Sequence, residues 1–333
     1  MKTWRLFLII FLLTIIGIIV AGCSGNKSQK FDNAGKQSSN ETIELKIRSG
    51  SPSGTWYPAT AAMAEFLPQQ IPGLKVTVTP GAGQSNVEAI QNGTANFAFG
   101  KAAATYQGLQ GLPPFKNKTD KVRNIGYLYD EAFHIVVRAD SGINSISDLK
   151  GKSLTTQTKG NLAEEMTRDV LAAYGLSYED FKKVTQVGYA DSVQQMKDGL
   201  VDAFTFATAT PASVLMDLAS VRDVKLLSID KDKLQILQQK NNGYIERIIP
   251  RGTYKGQDED ILTIGSAIHM MVPSTMSDDL VYKLTKAIVE NRDKLGEVHS
   301  AYKGLTPEKM AIDIGIPFHP GAVKYYKEVG AMK

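Results

Sequence analysis

The chain has 333 residues, 43% of them apolar, with 38 basic and 34 acidic side chains and a single cysteine. That length is too great for one ordinary core and implies about two domains. The formal charge is +4, or +2 once Lys2 and Arg5 are set aside to leave 36 basic against 34 acidic residues, a balance that excludes the basic footprint of a nucleic-acid binder or of a polybasic membrane surface.

The amino terminus reads as a targeting segment. Lys2 and Arg5 precede an apolar run from Leu6 to Val20, and Ala21, Gly22 and Cys23 follow, which is the charged, apolar and small-residue order of a secretory signal. A single-pass anchor is the alternative, and the run falls short of the roughly 18 residues that favour a spanning helix. Val20-Ala21-Gly22-Cys23 resembles a bacterial lipobox, with valine where leucine is usual. Small residues there let the chain lie extended in a peptidase groove, and the thiol is nucleophilic enough to take a diacylglyceryl group. The resemblance implies a lipoprotein signal peptide over residues 1–22 and lipidation at Cys23. At least two acyl chains would then hold the mature protein on the cell membrane, at its outer face or in the periplasm. With Cys23 so used, no disulfide and no spare thiol remain. Residues 23–42 are almost without apolar side chains, cannot offset chain entropy by burial, and read as a flexible tether.

From Ile43 onward one unit recurs: strand, small-residue loop, helix. Ile43 to Arg48 alternates as a strand, Ser49 to Thr55 is SGSPSGT, and a helical pattern follows through Ala61, Ala62, Ala64, Phe66 and Leu67. Val76 to Thr79 is a strand, Pro80 to Asn86 is PGAGQSN, and Val87 to Ile90 opens a helix with Ser85 and Glu88 as a capping box. Phe97 to Gly100 is an apolar strand that delivers Lys101 to the same rim. Ser153 to Thr156 is a strand, Gln157 to Gly160 is QTKG, and Asn161 precedes a helix with Leu162, Met166, Val170 and Leu171 on one face. Ala203 to Ala207 is a strand, Thr208-Ala209-Thr210 a loop, and Pro211 suits a first helical position. Such alternation implies parallel α/β sheets with ligands beyond the carboxyl ends of the strands, so the four loops share a rim. Val281 to Leu295 and Val323 to Met332 read as amphipathic helices that pack a core.

A helix start leaves backbone N–H groups unpaired and carries about half a positive charge. A loop without bulky side chains lets an anion reach those groups. The hydroxyls of Ser51, Ser53, Thr55, Ser85, Thr158 and Thr208 and the amides of Asn86 and Asn161 are candidates to complete the recognition. The alternative is that the glycines only make turns and the hydroxyls only cap helices. Lys101 and Lys159 are placed to pair with a carboxylate, with a solvated surface lysine as the alternative for Lys159.

Catalytic signatures are missing at the required spacings. Gly151-Lys152-Ser153 ends like a P-loop, but Ile146 stands where the first glycine belongs and a strand follows. His134, His269, His299 and His319 have no zinc-protease spacing, and no metal or cofactor is expected. Ser228 to Lys231 matches S-x-x-K in a charged turn without its companion motifs. A hydrolase would need Ser85 or Ser53 with His134 as base, and His134 lies within the apolar run Phe133 to Val137, as a packed or ligand-contacting residue would.

Taken together, SGSPSGTWYP, GAGQSNVEAIQNGTANFAFG, IGYLYDEAFHIVVRADSGINSISDLKGKSL, DGLVDAFTFATATPASVLMDLA, VYKLTKAIVENRDKL and IPFHPGAVKYYKEVG resemble the TAXI family, the extracytoplasmic solute-binding subunits of TRAP-type transporters, over Ile43 to Lys333. The resemblance implies a two-lobed α/β fold of the type II periplasmic-binding-protein class with a ligand cleft between lobes. Lobe 1 would be 43–131 plus 262–333 and lobe 2 would be 132–261. It carries ligand contacts over to Gly54, Thr55 and Tyr57 in the first loop and to Gly83, Ser85 and Asn86 in the second. His134 would lie near the cleft. With the loop reading, the expected ligand-binding set is completed by Ser51, Lys101, Thr158, Gly160, Asn161 and Thr208. Lys101 stands where family members commonly carry glutamine, and Thr158-Lys159-Gly160-Asn161 replaces a GSGT-like loop; both changes imply an anionic ligand such as glutamate or 2-oxoglutarate. The implied partners are a small-molecule ligand, a TRAP permease and the membrane, with the receptor a monomer and not an enzyme. A receptor of an ATP-driven importer, a serine hydrolase and an adhesive lipoprotein are the alternatives.

Overall fold

The computed structural model describes residues 42–333. The expected signal peptide 1–22, the lipidation position Cys23 and all of the expected tether except its last residue lie outside the described residues.

Ten strands form one sheet among the described residues. They are β1 (Ile43–Arg48), β2 (Leu74–Thr79), β3 (Phe97–Lys101), β4 (Val122–Arg138), β5 (Ser153–Thr156), β6 (Lys183–Gln186), β7 (Ala203–Thr208), β8 (Val224–Leu226), β9 (Ile245–Ile249) and β10 (Ile261–Pro273). The helices are α1 (Trp56–Gln70), α2 (Gly83–Gln91), α3 (Ala102–Gln110), α4 (Leu162–Ala173), α5 (Tyr189–Lys197), α6 (Ser213–Val221), α7 (Lys231–Lys240), α8 (Asp278–Glu290), α9 (Arg292–Val298), α10 (Pro307–Met310) and α11 (Pro320–Glu328).

Periodicity explains the elements. In β1, Leu45 and Ile47 are buried while Glu44 and Lys46 face water, a period of two. In α1, Ala59, Met63, Phe66 and Leu67 recur at helical spacing and are buried. The two long strands β4 and β10 organise the rest. The order runs β2-β1-β3-β10-β4-β7-β5-β6, with β8 also on β4 and β9 also on β10. The groups β2-β1-β3 and β7-β5-β6 are internally parallel. Between them β10 runs antiparallel to β3 and to β4, and β4 antiparallel to β7. The sheet is therefore mixed, which corrects the expectation of wholly parallel sheets: the two strands that carry the chain between its halves run against their neighbours.

Each half has its own core. Leu45, Met63, Phe66, Phe99, Ile268, Leu284 and Tyr326 belong to one cluster, and Phe133, Leu154, Met166, Val170 and Leu237 to another. The architecture is the two-lobed α/β fold expected. We propose the lobe boundaries 43–131 plus 262–333 and 132–261, because β4 pairs with β10 up to Ala132 and with β7 from Ala132 onward.

Three local expectations change. α2 starts at Gly83, so Ser85 is in its first turn and caps nothing; its hydroxyl donates to the Ala82 carbonyl. α6 starts at Ser213 rather than Pro211, with Ala212 at its N-cap and the Ala212 N–H donating to the Tyr254 hydroxyl at 2.8 Å. The helix expected over Val281 to Leu295 is broken at Asn291, whose side-chain amide donates to the Ala287 carbonyl at 2.8 Å and ends α8. α8 and α11 both bury residues in the first core, as packing helices do.

Candidate functional site

The loops after β1, β2, β5 and β7 meet at one cavity. Gly50, Ser51, Gly54, Thr55 and Trp56 line it from the first loop and Gly81, Ala82 and Gly83 from the second. Asn161 contributes from the third, and Ala207 and Thr208 from the fourth, with Lys101 at the end of β3, Glu131 of β4 and Tyr189 of α5 completing the wall. The cavity is small, so any occupant is no larger than a small metabolite.

Local chemistry decides which loop residues are free to act. Thr55 precedes α1 but makes no capping bond. Its hydroxyl instead pairs with that of Thr208 at 3.1 Å, joining residues 153 apart in the chain. Its carbonyl accepts from the Tyr302 hydroxyl at 3.1 Å, which fixes the start of α1. Asn161 does cap α4, accepting from the Ala163 N–H at 3.0 Å, and still borders the cavity. In the second loop the missing side chain of Gly81 makes room for Asn86. A Cβ on Gly81 would lie 2.1 Å from Asn86 Oδ1 and 2.9 Å from the Ser49 carbonyl oxygen. Asn86 fills that space, donating to the Ser49 and Phe99 carbonyls at 2.6 and 2.9 Å and accepting from the Ala82 N–H at 3.2 Å. The loop so fixed leads into α2, where the N–H groups of Gly83 and Gln84 have no acceptor among the described residues and Gly83 borders the cavity. These are the donors a carboxylate requires.

A buried ion pair sets the electrostatics. Lys101 Nζ lies 2.8 Å from Glu131 Oε2, and the two side chains are 5% and 1% exposed. The ammonium also donates to the Ala207 carbonyl at 3.5 Å and lies 5.8 Å over the Trp56 ring. Burial pushes the Glu131 carboxyl above its ordinary value, and the Lys101 charge pulls it back. The Tyr189 hydroxyl donates to the same Ala207 carbonyl at 2.9 Å. The pair is neutral overall, so Lys101 does not give the cavity the net positive charge expected of it.

The structure brings Ser51, Gly54, Thr55, Gly83, Lys101, Asn161 and Thr208 to the cavity and leaves the other expected residues outside its lining. Tyr57 is half-buried in α1, where its neighbour Trp56 takes the cavity side. Ser85 and Asn86 are both scaffold, since each spends its side chain on main-chain groups. Thr158 and Lys159 are exposed, and Gly160 serves a turn at φ +85°. Lys159 therefore adds no cation to the lining. His134 is fully buried and stacked on Phe206 at 4.6 Å. Its Nδ1–H donates to the Ala132 carbonyl at 2.9 Å, and its Nε2 accepts from the Tyr254 hydroxyl at 2.8 Å. Burial lowers its pKa to about 3. With both ring nitrogens committed, it serves neither the cavity nor a serine, which removes the base of the hydrolase alternative.

The model of the NMT1-like family matches residues 47–330. The chain belongs to the NMT1-like family. This NMT1-like chain is 33% identical over 95 residues to the arginine-binding extracellular protein ArtP of Bacillus subtilis, a match that covers 28% of this chain and 35% of that protein. The chain thus spans about a third of that relative's length. Among solved structures, a Bordetella bronchiseptica protein superposes with a TM-score of 0.51 at 19% identity, over 87% of this chain and 89% of that one. A Listeria monocytogenes protein described as a putative L-cystine ABC transporter gives 0.51 at 13% identity, over 78% and 96% of the two chains. At those identities the likeness establishes the fold.

Sequence reasoning missed Trp56, Glu131 and Tyr189 in the cavity wall of this NMT1-like protein. Glu131 had a signal: the pair Asp130-Glu131 interrupts the otherwise apolar YLYDEAFHIVV. An acid in the middle of a strand buried on both faces needs a cation, and Lys101 is one that β3 delivers to the same depth.

Proposed function

We propose that the chain is an extracytoplasmic solute receptor, lipid-anchored through Cys23, that binds a small carboxylate-bearing solute and delivers it to a TRAP-type permease. The observation that carries this reading is the convergence of four strand-to-helix loops, two from each half of the sheet, on one cavity with unpaired amides and a buried Lys101–Glu131 pair. A relative described as an arginine-binding extracellular protein and a fold neighbour described as a putative L-cystine ABC transporter support the solute-receptor part of this reading. The mechanism is binding, closure and release. Contacts from both lobes stabilise the closed state over the open one, and only that difference in affinity drives closure. The closed receptor then docks on the permease, and an ion gradient supplies the energy of transport.

The charge of the site revises the solute. One lysine compensated by one glutamate favours a solute of low net charge, an amino acid or a monocarboxylate, over the dianion that two free lysines implied. The test is mass spectrometry of small molecules released by denaturing the full chain after gentle purification. A carboxylate-bearing solute at near-stoichiometric yield is expected. Recovery of none, together with no thermal shift from any carboxylate offered, refutes the receptor reading.

A second reading, the receptor of an ATP-driven importer, is favoured by the fold likeness to a protein described as a putative L-cystine ABC transporter. The neighbouring genes separate the two: a multi-span permease without an ATPase supports the TRAP reading, and an ATPase supports the importer.

A further inference from the structure

The buried pair leaves one acceptor over. Lys101 reaches Oε2 of Glu131, whereas Oε1 is shielded from solvent and has no hydrogen-bond partner among the described residues. A buried carboxylate oxygen without a donor is costly and is not left so in a packed core without reason. Here the same side chain lines the cavity. The second loop is in contact with the pair, since a Cβ on Gly83 would lie 3.3 Å from Lys101 Cγ and Cδ. One wall of the cavity thus offers an acceptor, and the start of α2 beside it offers N–H donors. Those are the complements of an ammonium and of a carboxylate.

We propose that Glu131 Oε1 accepts from a protonated nitrogen of the solute, which makes Glu131 the residue that selects amino acids over the matching 2-oxo acids. The inference rests on reading the cavity as the solute site, and it goes further by requiring an amine. In an amino acid the ammonium completes the hydrogen bonding of Glu131 while the carboxylate meets the Gly83 amide at the start of α2. In a 2-oxo acid a carbonyl oxygen would face Oε1, leaving two acceptors opposed and neither satisfied.

Calorimetric titration of the full chain tests this. The twenty common L-amino acids are offered singly, followed by the 2-oxo acid of each one that binds, such as 2-oxoglutarate for glutamate or pyruvate for alanine. The wild type is expected to prefer the amino acid by on the order of 100-fold or more, since a site built to pair a donor rejects the analogue lacking it. In Glu131→Gln that ratio should collapse through weaker binding of the amino acid, with the folded state checked by thermal denaturation. The wild-type ratio needs no variant to be decisive. Equal affinity for an amino acid and its 2-oxo acid overturns the inference and leaves the receptor reading standing. Failure of all twenty amino acids also overturns it, and the released-solute spectrum then decides the reading: an amine-free carboxylate preserves the receptor, and no solute removes it.

Discussion

Replacing Lys101 by methionine keeps most of the stem and removes the charge, with a consequence set by burial. The ammonium lies 2.8 Å from Glu131 Oε2 with both side chains almost fully buried, so the variant strands a carboxylate in a medium that cannot solvate it. Breaking a buried pair from one side costs about 3–5 kcal/mol. For a folded chain of this size that is a fall in Tm of roughly 5–8 °C. The carboxylate has an escape, which is to take up a proton. Its folded pKa is already raised by burial and rises further once Lys101 stops opposing the shift. A group with a raised folded pKa contributes stability that is full below its unfolded pKa and is lost as pH rises through the folded value. The deficit of Lys101→Met against wild type should therefore be largest near pH 8 and shrink towards pH 5. The double variant Lys101→Met with Glu131→Gln removes both charges and should recover most of the loss. Urea unfolding of the three proteins at the two pH values measures this. A single variant no less stable than the double at pH 8, or a deficit independent of pH, would refute the coupling of the two charges.

Two more buried titratable groups give measurable outcomes. Glu165 of α4 accepts from the side-chain amides of Gln84 in α2 and Gln107 in α3. Burial raises its pKa from 4.5 to about 7, opposed by Gln107 and by the charges of Arg168 and Lys240 and assisted by Asp169. Its contribution is full below pH 4.5 and is lost as pH rises to about 7, at most about 3 kcal/mol. Glu165→Gln should flatten that part of the stability profile in urea titrations at pH 5 and 8, and an unchanged slope would count against it. His134→Phe keeps the stacking on Phe206 and loses two hydrogen bonds, for a cost of about 1–3 kcal/mol. With its pKa lowered from 6.5 to about 3 by burial, wild-type His134 must shed its proton to fold, so stability falls as pH drops below 6.5, and the variant should be less acid-sensitive. Solute affinity in calorimetry should be unchanged, and a large loss would return His134 to the site.

What the sequence disclosed was the periodic part. The strand over 43–48 shows in its alternation and those over 153–156 and 203–207 as short runs before turn residues, with the loops that follow made of small residues, so the rim where the cavity forms was legible. What was hidden depends on partners distant in the chain. Glu131 meets Lys101 only because β10 lies between β3 and β4, pairing with both. Asn86 looked like a ligand contact and is a scaffold, because the carbonyls it holds belong to Ser49, just past β1, and to Phe99, inside β3. Pro211 looked like a first helical residue, and α6 starts at Ser213, with the preceding N–H of Ala212 given to a tyrosine hydroxyl from residue 254. Thr55 is the converse: a residue type that caps helices, freed from capping and paired across the cavity with Thr208. Local patterns place elements, and sheet order decides which side chains meet.

Hydrogen exchange read by mass spectrometry, on the full chain alone and with the twenty L-amino acids together, tests most directly whether solute is held between the lobes. Exchange should slow at once in all four loops, 49–55, 80–85, 157–161 and 207–210, because each contributes to the cavity wall. Slowing confined to the loops of one lobe, or to none of the four while a solute demonstrably binds, would contradict a cavity that closes on its solute from both sides.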